Sequence, residues 1–145
     1  MLERSHKVDR ILSCAIAVHR ALGPGLMEST YQHCLSYEFT LNRVAFRAQV
    51  PIPVAYRGTH VSCGYRADFI VDDEVLLELK SVEKLMPLHD AQVLTYLRLT
   101  GLPRALLLNF NVPVLKTGIK SFLNSHGPIQ FPSAPDSPAR SGGSA

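Results

Sequence analysis

The sequence predicts an α/β fold in which a mixed sheet is flanked by helices. Three observations predict it. Apolar residues recur at helical spacing through Leu41. The pattern then switches to strict alternation from Phe46 to Tyr56, the signature of a strand with one buried face. Finally, a helix-length segment separates two apolar runs, Val75-Leu76-Leu77 and Ala105 to Asn109, as expected where a helix crosses between strands. The 145 residues, 46% of them hydrophobic, suffice for one sizeable core and are too few for two ordinary ones.

Each element follows from local chemistry. Val8, Ile11, Leu12, Ala15, Val18 and Leu22 form one apolar stripe, so Ser5 to Leu22 reads as a helix with Ser5 as N-cap. Gly23-Pro24-Gly25 ends it, because proline cannot continue the hydrogen-bond ladder. A second helix runs from Met27 to Asn42, with Glu28 in the first turn against the positive end of the helix dipole. Phe46 to Tyr56 follows as a strand whose two prolines make it an edge or bent strand. After the turn at Arg57-Gly58, His60 to Val71 returns as a second strand with Gly64 as a bulge or bend. Asp72-Asp73 interrupts it, and Glu74 to Lys80 forms a third. Pro87 blocks continuation, Asp90 to Leu99 reads as a third helix, and Ala105 to Asn109 as a buried strand. Leu115 to Leu123 adds a weak strand or helix. The division expected is a domain over 1–123 and a disordered Ser-, Pro- and Gly-rich tail over 124–145.

Composition excludes several classes. No apolar run approaches the roughly 18 residues of a membrane span, and the N-terminus lacks the apolar region of a secretory signal. A cytoplasmic protein without membrane contact is expected. Cys14, Cys34 and Cys63 are odd in number and form no C-x-x-C pair, which argues against a disulfide framework or zinc site and for reduced, mostly buried cysteines. A net charge of +3 is compatible with nucleic acid but does not require it.

Chemical interest concentrates on Asp68, Glu78 and Lys80. Glu78 and Lys80 lie two apart on one strand and share a face, while Leu77 and Leu79 face a core. Charge in the middle of a central strand is costly unless a metal, a substrate or mutual pairing compensates. Register decides whether Asp68 joins them. A two-residue loop of Asp72-Asp73 puts Asp68 opposite Leu77; a three-residue loop through Glu74, or a bulge, puts it opposite Glu78. Converged, two carboxylates and the intervening backbone offer hard oxygen ligands suited to Mg²⁺ or Mn²⁺. A neighbouring lysine can activate water or steady charge on phosphorus. The Glu-x-Lys pair alone is weak, arising by chance about 0.2 times in a chain of this length.

Asp68 followed across a hairpin by Glu78-Leu79-Lys80, then a helix bearing Gln92, resembles the PD-(D/E)XK nuclease superfamily. Gly25-Leu26-Met27-Glu28-Ser29-Thr30-Tyr31 resembles the signature of its GxxExxY family, and the likeness continues through Tyr56-Arg57-Gly58, Tyr65 to Val71, Glu78 to Val82, Ala91 to Leu97 and Leu107 to Phe110. The resemblance implies a restriction-endonuclease-like core and a nuclease using Mg²⁺ or Mn²⁺ on nucleic acid, with DNA the expected substrate. It implies Asp68 and Glu78 as metal-binding carboxylates, Lys80 as catalytic lysine, Glu28 as a further metal-shell carboxylate, and Gln92 as a residue beside the site. Two departures stand out. Ala67 replaces the proline of the superfamily name, and Ser121 follows Gly118-Ile119-Lys120 where the family carries arginine.

Plainer readings compete. Glu78 and Lys80 read equally as a solvated strand pair, Glu28 as a dipole-complementing acid, Gln92 as an exposed helix residue. His19 is a second-rank site candidate, more simply structural; Tyr31, Tyr56 and Tyr65 read as core aromatics. Arg43, Arg47, Arg57 and Arg66 form a phosphate-binding face or merely solvated charge. A catalytically silent module with the same fold, binding nucleic acid or protein, is the alternative function. A chain this small also suggests a homodimer or a protein partner to help present substrate.

Overall fold

The computed structural model describes residues 5–125. Ser5 caps α1 (His6–Leu22), its hydroxyl oxygen accepting the Lys7 N–H at 3.0 Å. α2 spans Glu28–Leu41. The expected strand through Tyr56 is broken into β1 (Phe46–Pro51) and β2 (Val54–Tyr56), and its partner into β3 (Thr59–Val61) and β4 (Arg66–Val71). Then come β5 (Val75–Lys80), α3 (Pro87–Thr100), β6 (Arg104–Asn109), a 3₁₀ turn at Leu115–Gly118 and β7 (Ile119–Leu123).

β1, β4, β5, β6 and β7 form one five-stranded sheet in that order, while β2 and β3 form a separate two-stranded ribbon. β1, β4 and β5 are antiparallel neighbours, β5 and β6 are parallel across the α3 crossover, and β7 closes antiparallel on β6. This is the mixed sheet flanked by helices that the sequence predicts. α1 and α2 cover one face, over Phe69, Leu77, Leu79, Leu106 and Leu108. α3 covers the other through Val93, Tyr96 and Leu97, over Ile70, Leu76 and Leu107.

Several expectations are corrected. Alternation does not run unbroken through β1: Phe46 packs with the α1–α2 core but Val50 with the α3 core. Gln49 between them has φ 53, a left-handed turn that re-aims the strand. Pro87 opens α3 rather than preceding it, because a proline at the first helical position loses only an amide that would be unpaired anyway. The Met86 N–H in front of it is taken by His89 Nδ1 at 2.9 Å. Tyr56 and Tyr65 are exposed, unlike the buried Tyr31. Cys63 is exposed and Cys34 half-buried, so only Cys14 is the buried cysteine expected; all three are free. Asn124, assigned to the tail, is fastened: its amide donates to the Leu97 and Leu102 carbonyls at 3.1 and 3.0 Å. The rest of the tail expected over 124–145, residues 126–145, lies outside the described residues. No helix among the described residues is long and apolar enough to cross a membrane.

Candidate active site

The β4–β5 turn sets the register. Asp72 and Asp73 both take left-handed φ values, 57 and 52, and the Glu74 N–H closes onto the Val71 carbonyl at 3.0 Å. Glu74 belongs to the loop, so Val71 pairs with Val75, Ile70 with Leu76 and Phe69 with Leu77. That register brings Asp68 opposite Glu78, the three-residue alternative. The turn itself is held by Lys7, 3.0 Å from Glu74, and by Arg47, 2.9 Å from Asp73.

Beyond Phe69 and Leu77 the main-chain ladder gives way to side chains. Glu78 Oε1 accepts the Asp68 N–H at 2.9 Å, and Asp68 Oδ2 accepts the Leu79 N–H at 2.7 Å. Each carboxylate thus occupies a backbone donor of the opposite strand. Each is thereby held against the opposite strand.

The pair is electrostatically expensive. Glu78 is only 4% exposed. Burial, seconded by the Asp68 charge, raises its pKa from the usual 4.5 to about 8. Asp68 is half-buried and also raised, first by burial and then by the charge of Glu28. The Leu79 N–H, the Lys80 charge and a Gln49 hydrogen bond work against that rise. Lys80 therefore lies within electrostatic reach of both carboxylates.

Glu28 stands exposed in the first turn of α2, and its charge is felt by both Asp68 and Glu78. Its approach is built by the Gly25-to-Tyr31 segment. The Tyr31 hydroxyl donates to the Gly23 carbonyl at 2.5 Å and accepts the Leu26 N–H at 3.1 Å, while its ring stacks on Phe110 at 4.5 Å. The Ser81 hydroxyl, just past Lys80, donates to the Leu26 carbonyl at 2.6 Å. The loop before α2 is thereby tied to the end of β5. Asn109 completes the frame, its side chain accepting the Val82 N–H and donating to the Val82 carbonyl at 3.0 and 2.9 Å.

Gln92 lies on the first half of α3 and donates to the Tyr96 hydroxyl at 3.1 Å. Burial raises the Tyr96 pKa, and the charge of Glu78 adds to that rise. So Gln92 reaches the pair through Tyr96. His19 is buried, its Nε2 within 2.8 Å of the Val112 carbonyl and its ring beside Phe110, which gives it the structural role. Lys120 is engaged by Asp90 at 2.8 Å, bracing β7 against α3.

Gln49 is the site residue that sequence reasoning missed. It lies opposite Asp68 in the β1–β4 register, hydrogen-bonds the Asp68 carboxylate, accepts from Arg66 at 3.3 Å and donates to Gln32 of α2. Read as one polar residue in an alternating strand, it carried no distinguishing signal. Tyr96, Ser81 and Asn109 were visible only as members of the quoted motifs.

Comparison with protein families gives a decisive match. The model of the PD-(D/E)XK nuclease superfamily matches residues 5–122. The chain belongs to the PD-(D/E)XK nuclease superfamily. Neither the curated proteins nor the solved structures yield a match. The five-stranded mixed sheet with helices on both faces is consistent with the restriction-endonuclease-like fold of that superfamily.

Among the described residues, no group of three or more His, Cys, Asp or Glu side chains is placed to hold a metal ion. The donor set still fits Mg²⁺ or Mn²⁺. Two fixed carboxylates of hard oxygen are what the protein ordinarily supplies to Mg²⁺, with water and substrate phosphate filling the remaining positions. A buried like-charged pair is also a site that gains from a cation.

Proposed function

We propose that this chain is a Mg²⁺- or Mn²⁺-dependent nuclease of the GxxExxY kind that hydrolyses phosphodiester bonds in DNA. The reciprocal grip of Asp68 and Glu78 on each other's strands carries the reading. It spends two backbone donors to hold two carboxylates in a partly dry place, and a strand-surface ion pair would need neither. Asp68 and Glu78 would hold the ion, with Glu28 at its water shell. The chemistry such an ion supplies when bound is electrophilic: a more acidic water and neutralisation of charge developing on phosphorus.

The chain's own residues do the rest. Lys80 lies two residues from Glu78 on the same strand and its charge acts on both carboxylates, so it would orient water or offset charge on the scissile phosphate. Tyr96 of α3 lies within reach of the Glu78 charge, and Gln92 holds its hydroxyl. Gln49 holds the Asp68 carboxylate from β1.

Incubation of wild type and Lys80→Ala with single-stranded, duplex and branched DNA and with RNA, in Mg²⁺ or Mn²⁺, tests this. Cleavage of DNA by wild type that falls at least about 100-fold in the variant is expected. Equal cleavage by both refutes the site.

A further inference from the structure

We propose that the β2–β3 ribbon is an arm that grips nucleic acid, holding backbone phosphate with Arg57 and stacking bases on Tyr56. The inference rests on the nuclease reading and adds how substrate is held.

The ribbon has no place in the core. It leaves the sheet after Ile52, which is buried, and five of its six paired residues are exposed. Two three-residue strands form a marginal hairpin on their own. Its stem is anchored beside the site: the Ile52 N–H donates to the Tyr65 carbonyl at 2.9 Å, and the Tyr65 ring lies 5.8 Å from that of Tyr96. Arg66 opens β4 two residues before Asp68 and donates to Gln49. From that rim the paired strands extend about 10 Å.

The chemistry of the arm suits a polyanion. From Val54 to Arg66 the chain contains Arg57, His60 and Arg66 and no acidic residue. Tyr56 is 54% exposed and Tyr65 42%, large aromatic surfaces left open to solvent. Arg57 lies 5.9 Å over the Tyr56 ring, so cation and aromatic face are presented together, the combination that binds nucleic-acid strands. Arg57 also occupies a position that disfavours it. Arg57 and Gly58 are the two loop residues, both at positive φ, 50 and 80, where a hairpin prefers Asn-Gly. The fold alone would be served better by asparagine. The four arginines do not form one face: Arg47 is bound to Asp73 beyond the far end of β4, and Arg43 precedes β1 at that same end, where Phe46 pairs with Val71, which leaves Arg57 and Arg66 on the site side.

Fluorescence-anisotropy titration of labelled single-stranded and duplex DNA, in EDTA and across a salt series, tests the arm. Arg57→Asn suits the turn and removes the charge, so the variant is expected to melt at or above wild type. It should shallow the slope of log K against log[salt] by about 0.7 on single strands or 0.9 on duplex, and Arg57→Lys should restore it. Tyr56→Ala should weaken single-strand binding about 5- to 150-fold at unchanged slope. If wild type binds or cleaves DNA while both variants keep its affinity and slope, the arm is refuted and the nuclease reading stands. If wild type neither binds nor cleaves any nucleic acid, both fall together.

Discussion

Glu78→Gln separates what the site costs from what it does. In the folded chain the Glu78 carboxyl holds its proton up to about pH 8, against 4.5 ordinarily. The folded state therefore binds that proton more tightly than the unfolded chain. The resulting stability is fully present below the ordinary value and is lost as pH rises through about 8. At about 1.4 kcal/mol per pH unit, ionised Glu78 costs the metal-free fold up to about 5 kcal/mol at pH 9. The substituted amide would keep an oxygen for the Asp68 N–H and carry no charge at any pH. Taking about 3 kcal/mol after local relaxation, the variant should melt roughly 10 °C above wild type at pH 9 and within about 2 °C of it at pH 5. Thermal melts of both proteins in EDTA at the two pH values measure this. Cleavage should be abolished in the same variant. An equal melting difference at both pH values, or a wild type more stable at pH 9, refutes the reasoning, since neither can arise from a carboxylate driven upward by burial.

Metal linkage should run the opposite way. Since an ion must displace the Glu78 proton, the Mg²⁺-induced rise in melting temperature should grow from pH 6 to pH 8.5 and vanish in Asp68→Asn; a pH-independent rise excludes these ligands. At about 100 times Kd the ion should add about 2.7 kcal/mol. Gln49→Gly keeps the left-handed backbone without strain while deleting the hydrogen bond that lowers the Asp68 pKa, so the melt should hold and the acid limb of the rate profile should move to higher pH. Gly118→Ala would place a Cβ 2.3 Å from the Asn109 carbonyl oxygen, displacing the residue that clamps Val82; a loss of at least about 2 kcal/mol in urea denaturation is expected.

The parts of the fold that were legible are those where one local rule acts alone. The apolar stripe of α1 and its Ser5 cap, the edge position of β1, and the shared face of Glu78 and Lys80 all follow from periodicity and capping. The Asp72-Asp73-Glu74 loop narrowed Asp68 to two registers but did not choose, because both left-handed aspartates are compatible with either loop length. What escaped depends on single backbone angles. Alternation assigns faces only while the chain stays extended, and the φ of Gln49 breaks that condition without glycine to announce it. The same limit hid the ribbon: Pro53 and Gly64 signalled bends, yet nothing local told that the strands beyond them leave the sheet. Pro87 was ambiguous because proline ends one helix and starts another with equal ease.

The site exists because the β4–β5 ladder stops being a ladder at one residue pair. Had the regular pairing continued beyond Phe69 and Leu77 on main-chain acceptors alone, the two carboxylates would stand side by side on a continuous sheet with nothing to fix their rotamers. Instead each side chain replaces a main-chain acceptor. Where the accepting carboxylate is ionised, its bond from a backbone amide is charge-assisted, shorter and stronger than a neutral one, which offsets part of the cost to the sheet. It leaves two acids rigidly placed but poorly solvated. Lys80 relieves part of that imbalance, and a divalent ion would relieve more. Gln49 and Gln32 add neutral hydrogen-bonding groups from β1 and α2, so the surroundings hold the acids without cancelling their charge. A site built for stability alone would place arginine there. Neutral amides around a buried acidic pair keep its field available for a cation, which is why Gln49, rather than either acid, is the position at which substitution should tune pH dependence without destroying the fold.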